Sequence, residues 1–264
     1  MGCCSTRDSK DKSKFDIDPK AEEECMEIEN TAMGLPSLIS EARDMGLLDL
    51  ENEKDPKIWD LWTYYLELNE NAQWDPVLYE PWLDIKKIDS SKYNSDYPVS
   101  NATITFSHQI PLKILLEQLN VPEERMKWDK HFIRFEIVDG KFMNNYVTYR
   151  QIGAFGYKGD FLDRRVVAIY KDTVVIIFYA ENDELRPPTK DFNRAKSIIG
   201  IHVIKVGNGK TVIQLVQQSD LNSALARLVA KLGPKKMKDW CKELVKRINS
   251  VHPNSAIQEQ TLTV

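Results

Sequence analysis

The period of the apolar positions changes along this chain, and each change marks an element. Leu38, Ile39 and Ala42 predict a short amphipathic helix within Pro36–Met45. Asp55-Pro56 reads as a helix N-cap followed by proline at the first helical position. Ile58, Leu61, Trp62, Tyr65 and Leu66 then recur at helical spacing, with an end expected near Asn69–Asn71. The middle of the chain predicts strands over Val77–Ile88, Asn101–Ile110, Phe132–Val138, Asn145–Ile152, Phe161–Lys171, Thr173–Ala180, Lys196–Val206 and Thr211–Ser219, with a short helix at Pro111–Leu119. In Phe132–Val138, Ile133, Phe135 and Ile137 are assigned to one face, Arg134 and Glu136 to the other. Asp139-Gly140, Lys171-Asp172 and Gly207-Asn208-Gly209 supply tight connections.

The run Val174–Tyr179 is apolar at every position. An antiparallel strand commonly leaves one face in water. This one is therefore expected to be covered on both sides or to line an internal apolar space. The last element is a long helix. Leu221, Leu225, Leu228, Val229 and Leu232 form one stripe, continued by Met237, Trp240, Cys241, Leu244, Val245 and Ile248. Gly233-Pro234 should kink or divide it. The order gives an α+β fold in which a curved antiparallel sheet grips a C-terminal helix.

Composition adds little, and the N-terminus adds much. The 264 residues are 42% hydrophobic and 29% charged, with a net charge of −4, so the surface as a whole is no nucleic-acid footprint. No apolar run of about 18 residues exists to span a bilayer, and residues 1–30 lack the apolar core of a signal peptide. Cys3, Cys4, Cys25 and Cys241 show no metal-ligand spacing, which fits a reducing compartment. The opening Met-Gly-Cys-Cys-Ser-Thr places Gly2 and Thr6 in the N-myristoylation pattern. One myristoyl chain binds a membrane reversibly, with a constant of about 10⁴ M⁻¹. A second acyl chain (palmitate) on Cys3 or Cys4 would make the anchor stable. Arg7, Lys10, Lys12 and Lys14 add attraction to anionic headgroups, offset in part by Asp8 and Asp11. The predicted organisation is a disordered acylated tether (1–30), a linker with a possible short helix (31–54), a folded domain (55–250) and a flexible tail (251–264).

From about residue 55 to 250 the chain resembles the START family, the StAR-related lipid-transfer domains. Arg125-Met126-Lys127-Trp128-Asp129 is similar to the family's Arg-x-x-Trp-Asp segment. Asp160-Phe161 with Arg165 resembles its Arg-Asp-Phe-x-x-x-Arg strand, with Gly159 replacing the leading arginine. Arg194, after Pro187-Pro188, and Gln217-Gln218-Ser219-Asp220-Leu221 match in order, as does the C-terminal helix. The resemblance implies a helix-grip fold with an internal apolar tunnel for one lipid. Some members place buried charges in the tunnel. Val166–Tyr170 is apolar where such a charge would stand, so no clear equivalent is expected.

Alternation and helix phase give Phe178, Ile201, Ile213, Leu215, Leu225 and Val229 as inward candidates. Trp128, Tyr149, Arg165 and Leu232 complete the candidate lining. The resemblance places a lipid gate in the loop Gly153–Gly159, with Phe155 and Tyr157 as its aromatic residues. Catalysis has no positive signal. Gly209-Lys210-Thr211 lacks the earlier glycine of a P-loop, where Ile204 stands, and a strand follows it. Cys241 could pair with His108, His131, His202 or His252, but its place on the apolar stripe reads as a buried inert thiol. The expected protein is a monomer that binds a lipid and needs no cofactor or metal. It should sit on the cytoplasmic face of a membrane through Gly2, Cys3 and Cys4. Lys231, Lys235, Lys236, Lys238, Lys242, Lys246 and Arg247 make the last helix basic, so it offers a further contact with anionic lipid or a plain solvated face. A membrane-anchored scaffold with a filled cavity and, last, a hydrolase using the same pocket remain the alternatives.

Overall fold

A computed structural model describes residues 37–154, 157–223 and 226–253, without the side chains of 154, 226–232, 234 and 235. Ten strands form one open sheet: β1 (Leu48–Asp49), β2 (Asp75–Glu80), β3 (Leu83–Ile88), β4 (Val99–Phe106), β5 (Phe132–Lys141), β6 (Asn145–Ala154), β7 (Tyr157–Tyr170), β8 (Thr173–Ala180), β9 (Asn193–Gly207) and β10 (Lys210–Asp220). Their order is β2-β3-β4-β10-β9-β8-β7-β6-β5, antiparallel between neighbours, with β1 added in parallel to β7. The helices are α1 (Leu38–Asp44), α2 (Pro56–Asn71), α3 (Leu112–Asn120), α4 (Pro122–Trp128) and α5 (Ala226–Val251). The class is α+β, and the arrangement is the helix-grip expected from the element order.

Both faces of the sheet are covered, which explains the continuous apolar strand. Val174, Ile176 and Phe178 of β8 join Ile104, Ile213, Leu215 and the α5 residues Met237, Cys241, Leu244, Val245 and Ile248 in one buried layer. Val175, Ile177 and Tyr179 point the other way, into a second layer with Ile58, Leu61, Trp62 and Tyr65 of α2. Asp55 caps α2, its Oδ1 accepting from the Lys57 amide at 2.9 Å. Its other carboxylate oxygen accepts from the Tyr179 hydroxyl, so the cap also pins α2 to β8.

Several expectations change. Residues 38–53 belong to the domain and are no linker: Leu38, Ala42, Leu47 and Leu50 are buried, and Glu41 of α1 accepts from the Leu112 amide at 2.6 Å, capping α3. The single strand expected over Val77–Ile88 is the β2–β3 hairpin. It turns at Pro81-Trp82, where proline sets a turn torsion and cannot donate to a ladder. In β5, register shifts at Phe132/Arg134 and Ile137/Asp139 break the alternation, and Ile133 is exposed beside the buried Phe135. Finally, Gly233-Pro234 does not divide α5, which runs as one helix from Ala226 to Val251. Proline costs that turn one amide donor, and the turns on either side carry the helix across.

Candidate functional site

The layer beneath α5 changes character along the sheet. Towards β3, β4 and β10 it is apolar. Towards β6, β7 and β9 it becomes polar, because alternation brings Tyr146, Thr148 and Arg150 of β6 opposite Arg165, Asp163 and Phe161 of β7. Phe178 pairs with Arg165 across β7–β8, and His202 pairs with Ile176 across β8–β9. The end of α3 supplies Asn120, and α4 supplies Arg125 and Asp129 at its C-terminus.

These groups are buried and unevenly satisfied. Arg125 and Asp129 form a well-made pair, with Nε and Nη2 at 3.0 and 2.9 Å from one carboxylate oxygen. That oxygen also accepts from Trp240 Nε1 on α5 at 2.8 Å. Arg150 Nη2 lies 2.8 Å from Asp163 Oδ2 and donates to Ser197 Oγ at 2.9 Å. The contact with Asp163 is ionic but off the hydrogen-bonding direction, so neither carboxylate oxygen accepts a hydrogen bond. Arg165 donates to Asn120 Oδ1 at 3.3 Å, and its guanidinium carbon sits 4.5 Å from the centre of the Phe178 ring. Phe178 lies over Gly200, where any Cβ would fall 2.2 Å from the ring, so only glycine permits this stacking. Arg150 Nε, Arg165 Nε, Asn120 Nδ2, the Tyr146 hydroxyl and His202 Nδ1 make no hydrogen bond among the described residues.

Burial and the crowding of like charge act together here. Burial pushes Arg165 down to about 10, which leaves it charged at neutral pH. Burial pushes the Tyr146 hydroxyl up to about 12, opposed by Arg165 beside it. His202 is held well below its ordinary range, first by burial and then by Arg165, Arg125 and Arg150. The imidazole is therefore neutral in the folded protein and protonates on unfolding as the pH falls below about 6.5. With the folded value depressed, this contribution to stability is complete above about pH 6.5 and is lost as the pH drops towards the folded value. Stability should fall by up to about 1.4 kcal/mol per pH unit from this residue alone. Urea denaturation of wild-type and His202→Gln protein between pH 7 and pH 5 measures it. Parallel curves would show that His202 carries none of the slope.

Of the candidate lining, Phe178, Ile213, Leu215, Arg165 and Trp128 lie in the layer beneath α5. Trp128 also donates to the Gln118 carbonyl at 3.2 Å. Ile201 lies in the opposite layer against α2, and Tyr149 faces away from Tyr146, its hydroxyl donating to Asp160 at 3.1 Å. Both are withdrawn from the lining, since a one-residue step along a strand exchanges faces. Leu225 lies outside the described residues. Val229 and Leu232 fall on α5, where side chains are not described. Phe155, Gly2, Cys3 and Cys4 also lie outside the described residues.

The strands flanking the expected gate pair close to it: Gly153 pairs with Lys158 and Ala154 with Tyr157. Tyr157 is buried over Gly159, and its hydroxyl donates to the Leu221 carbonyl at 2.8 Å, just before α5. Gly159 is thus where the ring rests, which accounts for the missing arginine of the motif. The buried charges that Val166–Tyr170 did not offer stand just before it on the same strand, at Asp163 and Arg165. Arg150 and Asp163 are not singled out by the sequence, and His202 enters there only as a partner for Cys241, because their facing depends on strand register.

Other conspicuous groups have structural roles. Arg194 holds Asp160 through Nε and Nη2 at 2.9 and 3.2 Å and also pairs with Asp183, fastening the start of β9 to β7. A cleft of 210 Å³ beside it, lined by Glu181, Asp183 and Lys196, opens at the surface away from α5. Burial raises the Cys241 thiol far above its ordinary range. Lys238 and Arg247 of α5 are tied to Glu80 and Glu124, which leaves less of the basic face free. Among the described residues no group of three or more His, Cys, Asp or Glu is placed to hold a metal ion. No described helix is long and apolar enough to cross a membrane.

No protein-family model matches the sequence, and a comparison with curated proteins finds no match. Solved structures do match. Human StAR-related lipid transfer protein 5 is similar at a TM-score of 0.66 and 18% identity, over 75% of this chain and 97% of that one. Human STARD10 is similar at 0.63 and 18% identity, over 76% and 84%. A STAR-related lipid transfer protein from Xanthomonas axonopodis is similar at 0.59 and 10% identity, over 67% and 99%. The chain thus has a helix-grip architecture. More narrowly, its fold is that of the StAR-related lipid-transfer domains, as the sequence resemblance implied.

Proposed function

We propose that this protein binds one lipid between the sheet and α5 and is held at the cytosolic face of a membrane by acylated Gly2 and Cys3 or Cys4, acting in lipid sensing or short-range transfer. One observation carries the lipid reading. The layer beneath α5 is apolar along most of its length and ends in buried polar groups that no described residue satisfies. A self-contained core leaves few such groups, because each costs about 1–3 kcal/mol. An amphiphile with an apolar body and a polar head matches both ends of the layer. The fold's relatives, named as lipid-transfer proteins, support the same reading. Lipid extraction and mass spectrometry of purified protein test it. One defined lipid per chain is expected, and a lipid-free protein that takes up none from vesicles would favour a scaffold.

Uptake requires the layer to open. Tyr157 ties the β6–β7 hairpin to the residue before Asn222 at the approach to α5, so we assign it as a latch rather than a membrane-inserting ring. Tyr157→Phe removes one hydrogen bond of about 1 kcal/mol, and lipid exchange between vesicles should quicken about fivefold. A fluorescent-lipid transfer assay reads this, and an unchanged rate excludes the latch.

A further inference from the structure

The charged groups beneath α5 do not balance. Arg125, Arg150 and Arg165 face Asp129 and Asp163, and His202 among them is neutral. Three guanidiniums against two carboxylates leave one positive charge in the interior. Asp129 is committed to Arg125 and Trp240, and Asp163 makes its ion pair with Arg150 and reaches Arg165 only at longer range. The excess therefore falls on Arg165, which makes no ion pair with a carboxylate among the described residues. Its contacts include the Asn120 carbonyl oxygen, the Phe178 and Phe135 rings and the Tyr146 hydroxyl beside it, and its Nε meets no partner among the described residues. The Tyr146 hydroxyl, opposite it on β6, and Asn120 Nδ2 are further donors without a partner. Burying an unpaired charge is costly, and the cost falls when an anion of matching geometry joins it.

We propose that the polar end of this layer selects an anionic lipid head, a phosphate monoester or a carboxylate, over neutral and zwitterionic heads. Arg165 makes the charge-assisted hydrogen bonds, with Arg150 Nε, Asn120 Nδ2 and the Tyr146 hydroxyl as additional donors. The inference rests on the lipid-binding reading above and adds the sign of the ligand's charge. His202 stays uncharged beside the three arginines, so it presents a neutral ring to the head.

Calorimetric titration of the full chain with three lipids of identical tails tests it: dioctanoyl phosphatidic acid, dioctanoyl phosphatidylcholine and dioctanoylglycerol. Inorganic phosphate alone is the fourth arm. Phosphatidic acid should bind about 10- to 100-fold more tightly than dioctanoylglycerol. Arg165→Met should narrow that ratio to within about threefold, and Arg165→Lys should restore part of it. The wild-type ranking decides the matter even if Arg165→Met does not fold. Equal or tighter binding of the neutral lipid would overturn the charge selectivity and leave lipid binding standing. Binding of none of the three lipids would remove the lipid reading and this inference with it. Inorganic phosphate matching phosphatidic acid would overturn the headgroup and assign the site to a free anion.

Discussion

Asp129→Ala should destabilise the domain by about 3–5 kcal/mol, the largest loss expected from any single side chain described above. The reason is geometric. One carboxylate oxygen receives Arg125 through two nitrogens and Trp240 through its indole. Arg125 lies over the Trp128 and Trp240 rings at 4.6 and 4.9 Å, with almost no access to water. Without Asp129 the guanidinium is left as a buried charge whose remaining hydrogen bond among the described residues is to the Leu119 carbonyl. The same change removes the Trp240 tie between α5 and the end of α4 and leaves the Arg247–Glu124 pair. Trp240→Phe is the informative companion, because it deletes one hydrogen bond to a charged acceptor and should cost about 1.5–3 kcal/mol. Urea denaturation of both variants provides the measurement. An Asp129→Ala protein within about 1 kcal/mol of wild type would show that Arg125 reaches water and that this clamp is not what holds α5.

Gly2→Ala should move the protein from the membrane fraction to the soluble fraction. N-myristoylation needs the glycine amine, and the proposed second acyl chain depends on the first bringing Cys3 and Cys4 to the bilayer. Changing Cys3 and Cys4 together to Ser leaves one chain, whose binding constant of about 10⁴ M⁻¹ gives partial, washable attachment. Fractionation of cells expressing the three forms should therefore yield bound, partly bound and soluble protein in turn. Gly2→Ala protein that still sediments wholly with membranes would end the acylation argument.

The fold was largely legible because its signals are local and redundant. Asp55-Pro56 starts α2 with a cap and a fixed torsion, and the stripe Met237–Ile248 defines the buried side of α5. The segments carrying the START resemblance also have direct physical meanings. Arg125, Trp128 and Asp129 build the clamp on α5, and Asp160 with Arg194 joins β7 to β9. The site was harder to read because it depends on register. Ile201 and His202 are neighbours in sequence and lie in opposite layers, and nothing in Gly200-Ile201-His202-Val203 says which faces α5. Arg150 becomes part of a charged interior only when β6 is laid against β7. That α5 is not divided has another reason: tertiary packing of Met237 through Ile248 outweighs the local cost of Gly233-Pro234.

The sheet that separates two buried layers also divides the molecule energetically. If α5 lifts, the residues it covers meet solvent or lipid, while Ile177, Ile199, Ile201 and Val216 stay sealed beneath α2 on the far side. Ligand passage is then a partial unfolding confined to one half of the protein. In hydrogen exchange, amides of α5 should open through a low-energy fluctuation, and those of β8 and β9 only with global denaturation. On the proposed function, a chain built this way would release its lipid repeatedly without passing through a denatured, aggregation-prone state.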